Sequence, residues 1–431
     1  MEIFRARFSA HIFSRTPSRI QRALLPVLFL CFAFRVAAAG PRVDAGTLTG
    51  KVMCGYQGWF NCEGDGAERG WVHWTKGKGV PAPGNAKIDL WPDVTGFGAD
   101  ERFATGFKHA DGRAAEVFSS FKKETVLRHF EWMREYGIDG AFVQRFAAGL
   151  RDPKVLRHNN TVIAHCREGA EQSGRAFAVM YDLSGLGADR IREVMDDWHS
   201  LRGELHVTDS PAYLRHRGKP LVAVWGVGFS DDRKYTLAEC RELVDFLKKD
   251  GCTVMLGVPT HWRELKNDAL ADPALHEVVK LADVVSPWTI GRYRDAAGVA
   301  RHEEKFLRPD LAWCAAAGLD YLPVVFPGFS WHNMKGDPLD AIPRRKGEFL
   351  WSQFVAAKRA GAEMIYVAMF DEVDEGTAIF KCTNDVPVGG QSKFVTYESL
   401  PSDFYLRLTG AGGKMLRGEI PVTDKPPLPM K

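Results

Sequence analysis

Several signatures of common protein classes are missing from this chain of 431 residues. It has no CxxC pair and no cysteine–histidine cluster with the spacing of zinc ligands. It also lacks the GxGxxG and P-loop patterns of nucleotide-binding proteins and the D-x-[DN]-x-[DN]-G loop of calcium sites. The net charge is only +3, which gives no indication of a nucleic-acid partner. None of these classes is therefore indicated.

Long apolar runs are scarce as well, and the one that stands out lies near the start of the chain. Five arginines in the first 22 residues precede the apolar run Ala23 to Phe34, which Ala37-x-Ala39 follows. This order is typical of a secretory signal peptide; an N-terminal membrane anchor is the alternative. The run of about 12 residues is too short to span a bilayer comfortably. We predict a signal peptide over residues 1–39, a secreted or periplasmic protein, and no membrane span in the mature chain.

The eight cysteines allow at most a small disulfide framework. Cys31 lies in the predicted signal peptide, which leaves an odd number, and Cys54 and Cys62 form the only close pair. A disulfide between these two is compatible with an exported protein. The remaining cysteines are more typical of buried small hydrophobic residues.

Short apolar runs recur eight times after residue 40, separated by amphipathic stretches. Near-continuous apolar strands that alternate with helices predict a parallel sheet covered on both faces. Eight such units predict an α/β fold, a single (β/α)₈ TIM barrel. A doubly wound open sheet is the alternative, but it would need the glycine-rich phosphate turn that is missing. The predicted strands are 52–60, 140–146, 176–182, 221–226, 253–258, 284–288, 321–326 and 364–370.

Helices are predicted over 125–136, 237–249 and 348–361, and a glycine at or just after each end gives a stop signal. No repeat or linker indicates a second domain, so residues 40–420 are predicted to form one catalytic domain. The proline-rich residues 421–431 are predicted to be a disordered tail. A long insert after the first strand, residues 61–124, is predicted to lie over the barrel mouth as a functional loop.

Chemistry-bearing side chains occur at the ends of the predicted strands, where a (β/α)₈ barrel carries its active site. Aromatic rings pack against sugar faces and fixed polar groups bind hydroxyls, so we predict a glycan substrate; core packing is the alternative for the aromatic residues. The candidate substrate-binding residues are Tyr56, Gln57, Trp59, Trp74, Gln144, Arg145, Tyr181, Asp182, Trp225, His261, Trp288, His332 and Asp371.

Four carboxylates follow the eighth predicted strand in the segment FDEVDEG, residues 370–376. Hydrolysis of a glycosidic bond usually needs one carboxylic acid and one carboxylate. Glu372 and Glu375 can point into one cavity if the strand gives way to a turn, and crowding of like charge raises one pKa, as a general acid requires. The alternatives are a solvated acidic loop and a divalent cation site. We predict that Glu372 and Glu375 are the catalytic pair, with no metal and no cofactor.

The sequence resembles glycoside hydrolase families 71 and 99, the second of which contains endo-α-mannosidases. The resemblance rests on the end of the eighth strand, residues 368–380, on Gly55-Tyr-Gln-Gly-Trp-Phe60 and on Trp71-Val-His-Trp74. These segments look like a bacterial 71/99-like group often labelled xylosidase or arabinosidase, and the resemblance covers about residues 48–420.

The resemblance implies a metal-free (β/α)₈ enzyme. Family 99 carries Asn-Glu-Trp-His-Glu-Gly, in which the first Glu acts as a base on the 2-hydroxyl of the sugar and the second is the general acid. By this match Glu372 would be the base and Glu375 the acid. Asp371, Val373 and Asp374 replace Asn, Trp and His of that motif. These changes remove an aromatic wall and a donor and add charge, which leaves a water-activating or nucleophilic role for Glu372 open.

The sequence thus predicts an exported glycoside hydrolase that acts by carboxylate acid–base catalysis. Two alternatives from other classes remain open at this point: a non-catalytic carbohydrate-binding protein on a TIM barrel, and a metal-dependent hydrolase.

Overall fold

Parallel strands form a closed ring in the computed structural model, which describes residues 42–429. The predicted signal peptide over residues 1–39 therefore lies outside the described residues. Neighbours in the ring are paired in chain order, and the first strand also pairs with the last, with Val52 opposite Ile365. The predicted (β/α)₈ fold class is confirmed, because the ring contains eight strand positions.

The strands of the ring agree with the predicted segments within a few residues. They are β1 (Val52–Tyr56), β4 (Gly140–Phe146), β5 (Ala176–Asp182), β7 (Lys219–Trp225), β8 (Thr253–Pro259), β9 (Val284–Trp288), β10 (Asp320–Tyr321), β11 (Val324–Val325) and β12 (Ile365–Val367). Outside the ring lie β2 (Arg102–Lys108), β3 (Ala114–Phe118) and β6 (Arg215–His216).

The seventh position of the ring is divided into two pieces, β10 and β11. The first piece pairs with β9 and the second with β12. Pro323 lies between them and has no N–H group, but its carbonyl still accepts a hydrogen bond from the Tyr366 N–H at 3.0 Å. The two pieces together close the barrel between the sixth and eighth positions.

Helices follow the strands and cover the outside of the ring. They are α1 (Lys123–Tyr136), α2 (Pro153–Ser173), α3 (Ile191–Gly203), α4 (Leu237–Lys249), α5 (Ala274–Val279), α6 (Ala296–His302), α7 (Arg308–Ala316), α8 (His332–Lys335), α9 (Glu348–Ala360) and α10 (Phe404–Leu416).

Local sequence explains where the predicted helices begin and end. Thr236 and Glu239 form a reciprocal capping box at the start of α4. Gly137 and Gly361 adopt left-handed backbone conformations after α1 and α9, as C-terminal glycines of helices often do. The three helices predicted from the periodicity are confirmed within two residues at each end.

The insert over residues 61–124 differs from the prediction because it has secondary structure of its own, the antiparallel hairpin β2–β3. It is attached to the loops at the carboxyl end of the barrel. The N–H groups of Asp89 and Leu90 donate to the Val373 carbonyl at 2.9 and 3.1 Å. The buried Asp89 carboxylate accepts the N–H groups of His332 and Asn333 at 2.7 and 2.8 Å. This attachment places the insert beside the FDEVDEG segment.

Three further expectations concern cysteines, the tail and the membrane. Cys54 and Cys62 are both buried free thiols, so they form no disulfide.

Residues 421–429 contain no helix or strand, although the Thr423 carbonyl accepts a hydrogen bond from the Trp351 indole at 2.7 Å. Between residues 42 and 429, no helix has the length and apolar character needed to cross a membrane.

Candidate active site

Successive side chains at the end of each strand point to opposite sides of the barrel wall, as the pleat requires. In β4, the Gln144 amide donates to the Tyr366 hydroxyl at 3.2 Å inside the barrel. The next residue, Arg145, points outward and donates from Nε to Asp197 of α3 at 2.6 Å. The same alternation separates the candidate residues at the ends of β1 and β5.

The outward-pointing candidates belong to the packing between strands and helices. The Tyr56 hydroxyl bonds to His129 of α1 at 2.9 Å. The Tyr181 hydroxyl donates to Asp197 at 2.6 Å, beside Arg145. All three strand residues are buried. The alternation therefore corrects the predicted site: Tyr56, Arg145 and Tyr181 are removed from it.

Trp74 is also removed from the predicted site. It is fully buried, and its ring contacts Phe60 and Phe118 at centroid distances of 4.5 and 5.3 Å. It lies in the hydrophobic core that joins the insert to the barrel. For Trp74, core packing, which was the alternative interpretation, is therefore correct.

The inward-pointing candidates Trp225 and Trp288 form an aromatic wall at the carboxyl end of β7 and β9. Their rings meet edge to face at a centroid distance of 5.4 Å, and both are half-buried. Gly257 of β8 leaves room for this arrangement, because a Cβ atom there would lie 2.5 Å from the Trp225 ring. The Tyr366 ring lies 6.3 Å from Trp288, inside the barrel below this wall.

Glu372 is held by two hydrogen-bond donors. Gln57, which points inward from the end of β1, donates to Oε1 at 2.5 Å. The Thr377 hydroxyl donates to Oε2 at 2.6 Å. The Glu372 side chain is only 3% exposed and forms no ion pair among the described residues. Its carboxyl group is therefore fixed in position without being neutralised by a cation.

Glu375 is less restrained than Glu372. It is half-buried, and within the described range its carboxyl group has no ion pair. The Trp331 indole lies close enough to lower the pKa of Glu375, although its N–H makes no hydrogen bond of normal geometry. Glu375 thus presents a carboxyl group with free hydrogen-bonding capacity.

The pKa values of both glutamates are raised. Burial is the main cause for each, followed by the charge of Glu375 for Glu372 and the charge of Asp374 for Glu375. The pKa of Glu375 rises to about 8 and that of Glu372 rises well above its usual range. Burial and mutual repulsion thus keep at least one of the two carboxyl groups protonated at neutral pH.

Asp374 connects the FDEVDEG segment with the insert. Its Oδ2 atom lies 2.8 Å from Nδ1 of His73 and 3.6 Å from Nζ of Lys87. The His73 ring stacks on Trp59 with an interplanar angle of 7° and a centroid distance of 3.8 Å. Trp59 also stacks on Phe146, the last inward residue of β4, so this group completes the other side of the mouth.

Asp371 holds the end of β12 against the end of β1. Its buried carboxylate accepts the N–H groups of Gln57 and Gly58 at 2.8 and 2.9 Å. Burial raises the pKa of Asp371 to about 7. Its geometry makes it a support for Gln57 and Glu372 and leaves no oxygen free for a ligand.

Both candidate histidines make local contacts outside the strands of the barrel. The Nδ1 atom of His261 lies 2.7 Å from Asp268, in a separate cavity beside the mouth. The Nδ1 atom of His332 bonds to the Asp337 carbonyl at 2.8 Å. Asp182 points into the barrel like Gln144 and Trp225 and remains a candidate. Its charge raises the pKa of Glu375, and burial raises the pKa of Asp182 itself to about 6.

Sequence reasoning missed several residues of this site, among them His73, Lys87 and Tyr366. His73 lies inside the Trp71-Val-His-Trp74 motif, of which only Trp74 was predicted to belong to the site. Lys87 carries no local signal, because its role depends on contact with Asp374, which is distant in the chain. Tyr366 could have been identified, since the period of the eighth strand turns it to the same side as other inward residues.

Several polar atoms at the mouth have no hydrogen-bond partner within residues 42–429. Because buried polar atoms are nearly always partnered in proteins, these atoms are candidates for contact with a ligand. They are Gln57 Oε1, Gln144 Oε1, Trp59 Nε1, Trp225 Nε1, Trp331 Nε1 and Asp374 Oδ1. In the same range, no group of three or more histidine, cysteine, aspartate or glutamate residues has the arrangement of a metal site.

Solved structures of glycoside hydrolases resemble this chain over most of its length. The GH99 endo-α-mannosidase from Bacteroides thetaiotaomicron superposes with a TM-score of 0.62 at 16% identity, covering 86% of this chain and 99% of the enzyme. A glycoside hydrolase-like protein superposes with a TM-score of 0.50 at 12% identity, covering 79% of this chain and 98% of that protein. This chain has their fold.

The fold expected from the resemblance to families 71 and 99 is thereby confirmed. No protein-family model matches the sequence, and no curated protein is significantly similar to it.

Proposed function

We propose that this protein is an exported glycoside hydrolase in which Glu372 and Glu375 act as the catalytic pair. The observation that carries the proposal is the placement of two carboxyl groups without ion pairs, both with raised pKa, at an aromatic mouth on the carboxyl end of the barrel. In (β/α)₈ enzymes this end carries the active site.

The hydrogen bonds divide the roles between the two glutamates. Gln57 and Thr377 donate to Glu372, and such donors stabilise the ionised form of a carboxyl group. Glu375 has no comparable pair of donors and is free to donate a proton, so we assign the role of the acid to Glu375. Protonated Glu375 would then donate to the departing glycosidic oxygen, while Glu372 would act as the base or nucleophile.

The half-buried tryptophans and the unpartnered polar atoms supply a means of binding sugar. Trp59, Trp225 and Trp288 offer ring faces or edges for a pyranose, and the amide oxygens of Gln57 and Gln144 can accept from hydroxyl groups. We therefore propose a polysaccharide or oligosaccharide as the substrate.

The Bacteroides enzyme with the same fold is an endo-α-mannosidase. The proposal for this chain does not extend to mannan, because Val373 and Asp374 occupy the places of the tryptophan and histidine in the family 99 motif. Val373 is fully buried here and offers no ring to a sugar.

Hydrolysis and binding by matched variants test the proposal. On a glycan panel, Glu375→Gln and Glu372→Gln should each lower kcat by about 10²–10⁴-fold while glycan affinity is retained. Glu277→Gln changes an exposed carboxylate on α5 and should have no effect. N-terminal sequencing of the exported protein should find a mature chain that starts after Ala39.

Two other results would support other classes. If the wild type binds glycans and cleaves none of the panel, the protein is a carbohydrate-binding module. If activity disappears in chelator and returns with added metal, a metal-dependent hydrolase is the better description.

A further inference from the structure

A cavity lies beside the mouth, between the loops that follow β8 and β9. Its volume is about 380 Å³, and it is lined by residues 260–261, 291–295 and part of the segment from α6 to residue 306. Neither Glu372 nor Glu375 lines it, so it is separate from the proposed catalytic pair.

Positive charge dominates the lining of this cavity. Arg292, Arg294, Arg301 and Lys305 all contribute to its walls. Arg292 is paired with Asp268 at 2.8 Å. Arg294, Arg301 and Lys305 have no such partner among the described residues. No carboxylate oxygen lies within 4.0 Å of their charged nitrogens, and their side chains make no hydrogen bond in that part of the chain.

The one carboxylate in the lining offsets only one of the four positive charges. Asp295 accepts the N–H of Gly298 at 2.7 Å and caps the start of α6. His261 is bound to Asp268, and burial lowers the pKa of His302 to about 4, so His302 is uncharged at neutral pH. The cavity therefore keeps an excess of cations, which favours an anionic ligand.

Aromatic rings form part of the same cavity. Phe306 meets His261 edge to face at 4.9 Å and stacks with His302 at 5.3 Å. A combination of ring surfaces and arginines suits a sugar that carries a negative charge, since guanidinium groups bind carboxylate and sulfate oxygens in pairs.

The cavity is close to the proposed mouth along the chain. The Thr260 hydroxyl at its rim donates to the carbonyl of Trp288 at 2.6 Å, and Trp288 is part of the aromatic wall. Gly291 in the cavity lining is only three positions after Trp288 in the chain, which limits their backbone separation to about 11 Å. One oligosaccharide could therefore contact both sites.

We propose that this cavity binds the anionic group of an acidic glycan, a uronate carboxylate or a sulfate ester. The inference that the ligand is a glycan rests on the proposed glycoside hydrolase function. The inference that this glycan is acidic rests on the cation-lined cavity. It assigns Arg294 and Arg301 a direct role in choosing acidic over neutral glycans.

Calorimetry with small probes tests the proposal on the full-length mature protein at low ionic strength. The probes are sodium glucuronate, glucose 6-sulfate and, as the neutral match, glucose. We expect the wild type to bind one or both anions at concentrations up to about 10 mM and to bind them more tightly than glucose. Binding should weaken as salt is added. Binding of only one anion would identify whether carboxylate or sulfate is preferred.

Variants locate the binding site. The double change Arg294→Gln and Arg301→Gln should weaken anion binding by about tenfold or more. Arg192→Gln, an exposed arginine of α3, serves as the matched control and should bind as the wild type does. Equal anion affinity in the double variant and the wild type, or no anion binding by the wild type, would overturn the proposal.

The Glu375→Gln variant separates this inference from the proposed function. It should lose hydrolysis and keep anion binding. If hydrolysis depends on Glu375 but no anion binds, the glycosidase proposal stands and this one fails. If anions bind through Arg294 and Arg301 but no glycan is cleaved, the acidic-glycan assignment is overturned together with the proposed function.

Discussion

Asp374 and Lys87 act on the pKa of Glu375 in opposite directions. The charge of Asp374 raises the pKa and the charge of Lys87 lowers it, around a value of about 8. As a general acid, Glu375 must be protonated, so activity should decline as the pH rises through about 8. Asp374→Asn should move this decline to lower pH, and Lys87→Met should move it to higher pH. The pH dependence of kcat checks both shifts.

Opposite shifts in these two variants would exclude a general loss of structure as the cause. Shifts in the same direction, or an unchanged alkaline limb in both, would show that Glu375 is not the group whose titration controls the rate.

At the scale of single residues, the sequence predicted which residues lie at strand ends better than it predicted the direction in which their side chains point. Glu372, Glu375, Gln57, Trp225 and Trp288 were placed at strand ends, where the structure has them. Each outward-pointing residue that was removed directly precedes or follows an inward-pointing one, because a strand turns alternate side chains to opposite faces. Applying that alternation from Gln144 would have removed Arg145 without a structure.

At the scale of elements, the insert over residues 61–124 carries part of the site, and Asp89 is one of the residues that attach it to the barrel loops. We expect Asp89→Ala to lower the free energy of unfolding by about 2–4 kcal/mol, because the buried N–H groups of His332 and Asn333 lose their acceptor. The rate should fall by about tenfold or more, because His73 and Lys87 lie on the same segment and would shift.

Chemical denaturation and steady-state kinetics measure the two effects of Asp89→Ala. Asp100→Ala changes an exposed residue of the same insert and should leave both unchanged. A rate equal to that of the wild type in a destabilised Asp89→Ala protein would show that the insert is not part of the catalytic site.

Elements were predictable from the sequence because each carries a local signal. Apolar runs, the capping box of α4 and the glycines after the helices locate strands and helices within a few residues. The hairpin β2–β3 was missed because it is short and only partly buried, so its alternation is weak. Contacts of the insert with FDEVDEG depend on residues about 300 positions apart, for which the sequence contains no local signal.

At the scale of the whole molecule, buried acids link stability to pH. Burial raises the pKa of Asp310 and Asp371 to about 7 and that of Glu375 to about 8 in the folded state. The unfolded chain loses these protons near pH 4, so the folded state binds more protons between these limits and its stability falls as the pH rises. Between pH 6.5 and 8.5 we expect the free energy of unfolding to fall by about 1–3 kcal/mol, after the opposing effect of the buried histidines is included.

Denaturation by urea at several pH values measures this loss. The buried histidines oppose this loss in part near pH 6.5, because they are uncharged in the folded state while the unfolded chain still releases protons from them there. Glu375→Gln should reduce the loss markedly. Stability that rises between pH 6.5 and 8.5 would contradict the assignment of raised pKa values to these acids.

The pairing of β1 with β12 means that both ends of the described chain must be present before the proposed catalytic site is complete. Gln57, His73 and Lys87 come from the first strand and its insert, whereas Glu372 and Glu375 come after the last strand. A growing polypeptide therefore cannot assemble the complete site until synthesis has passed about residue 380 and the ring has closed.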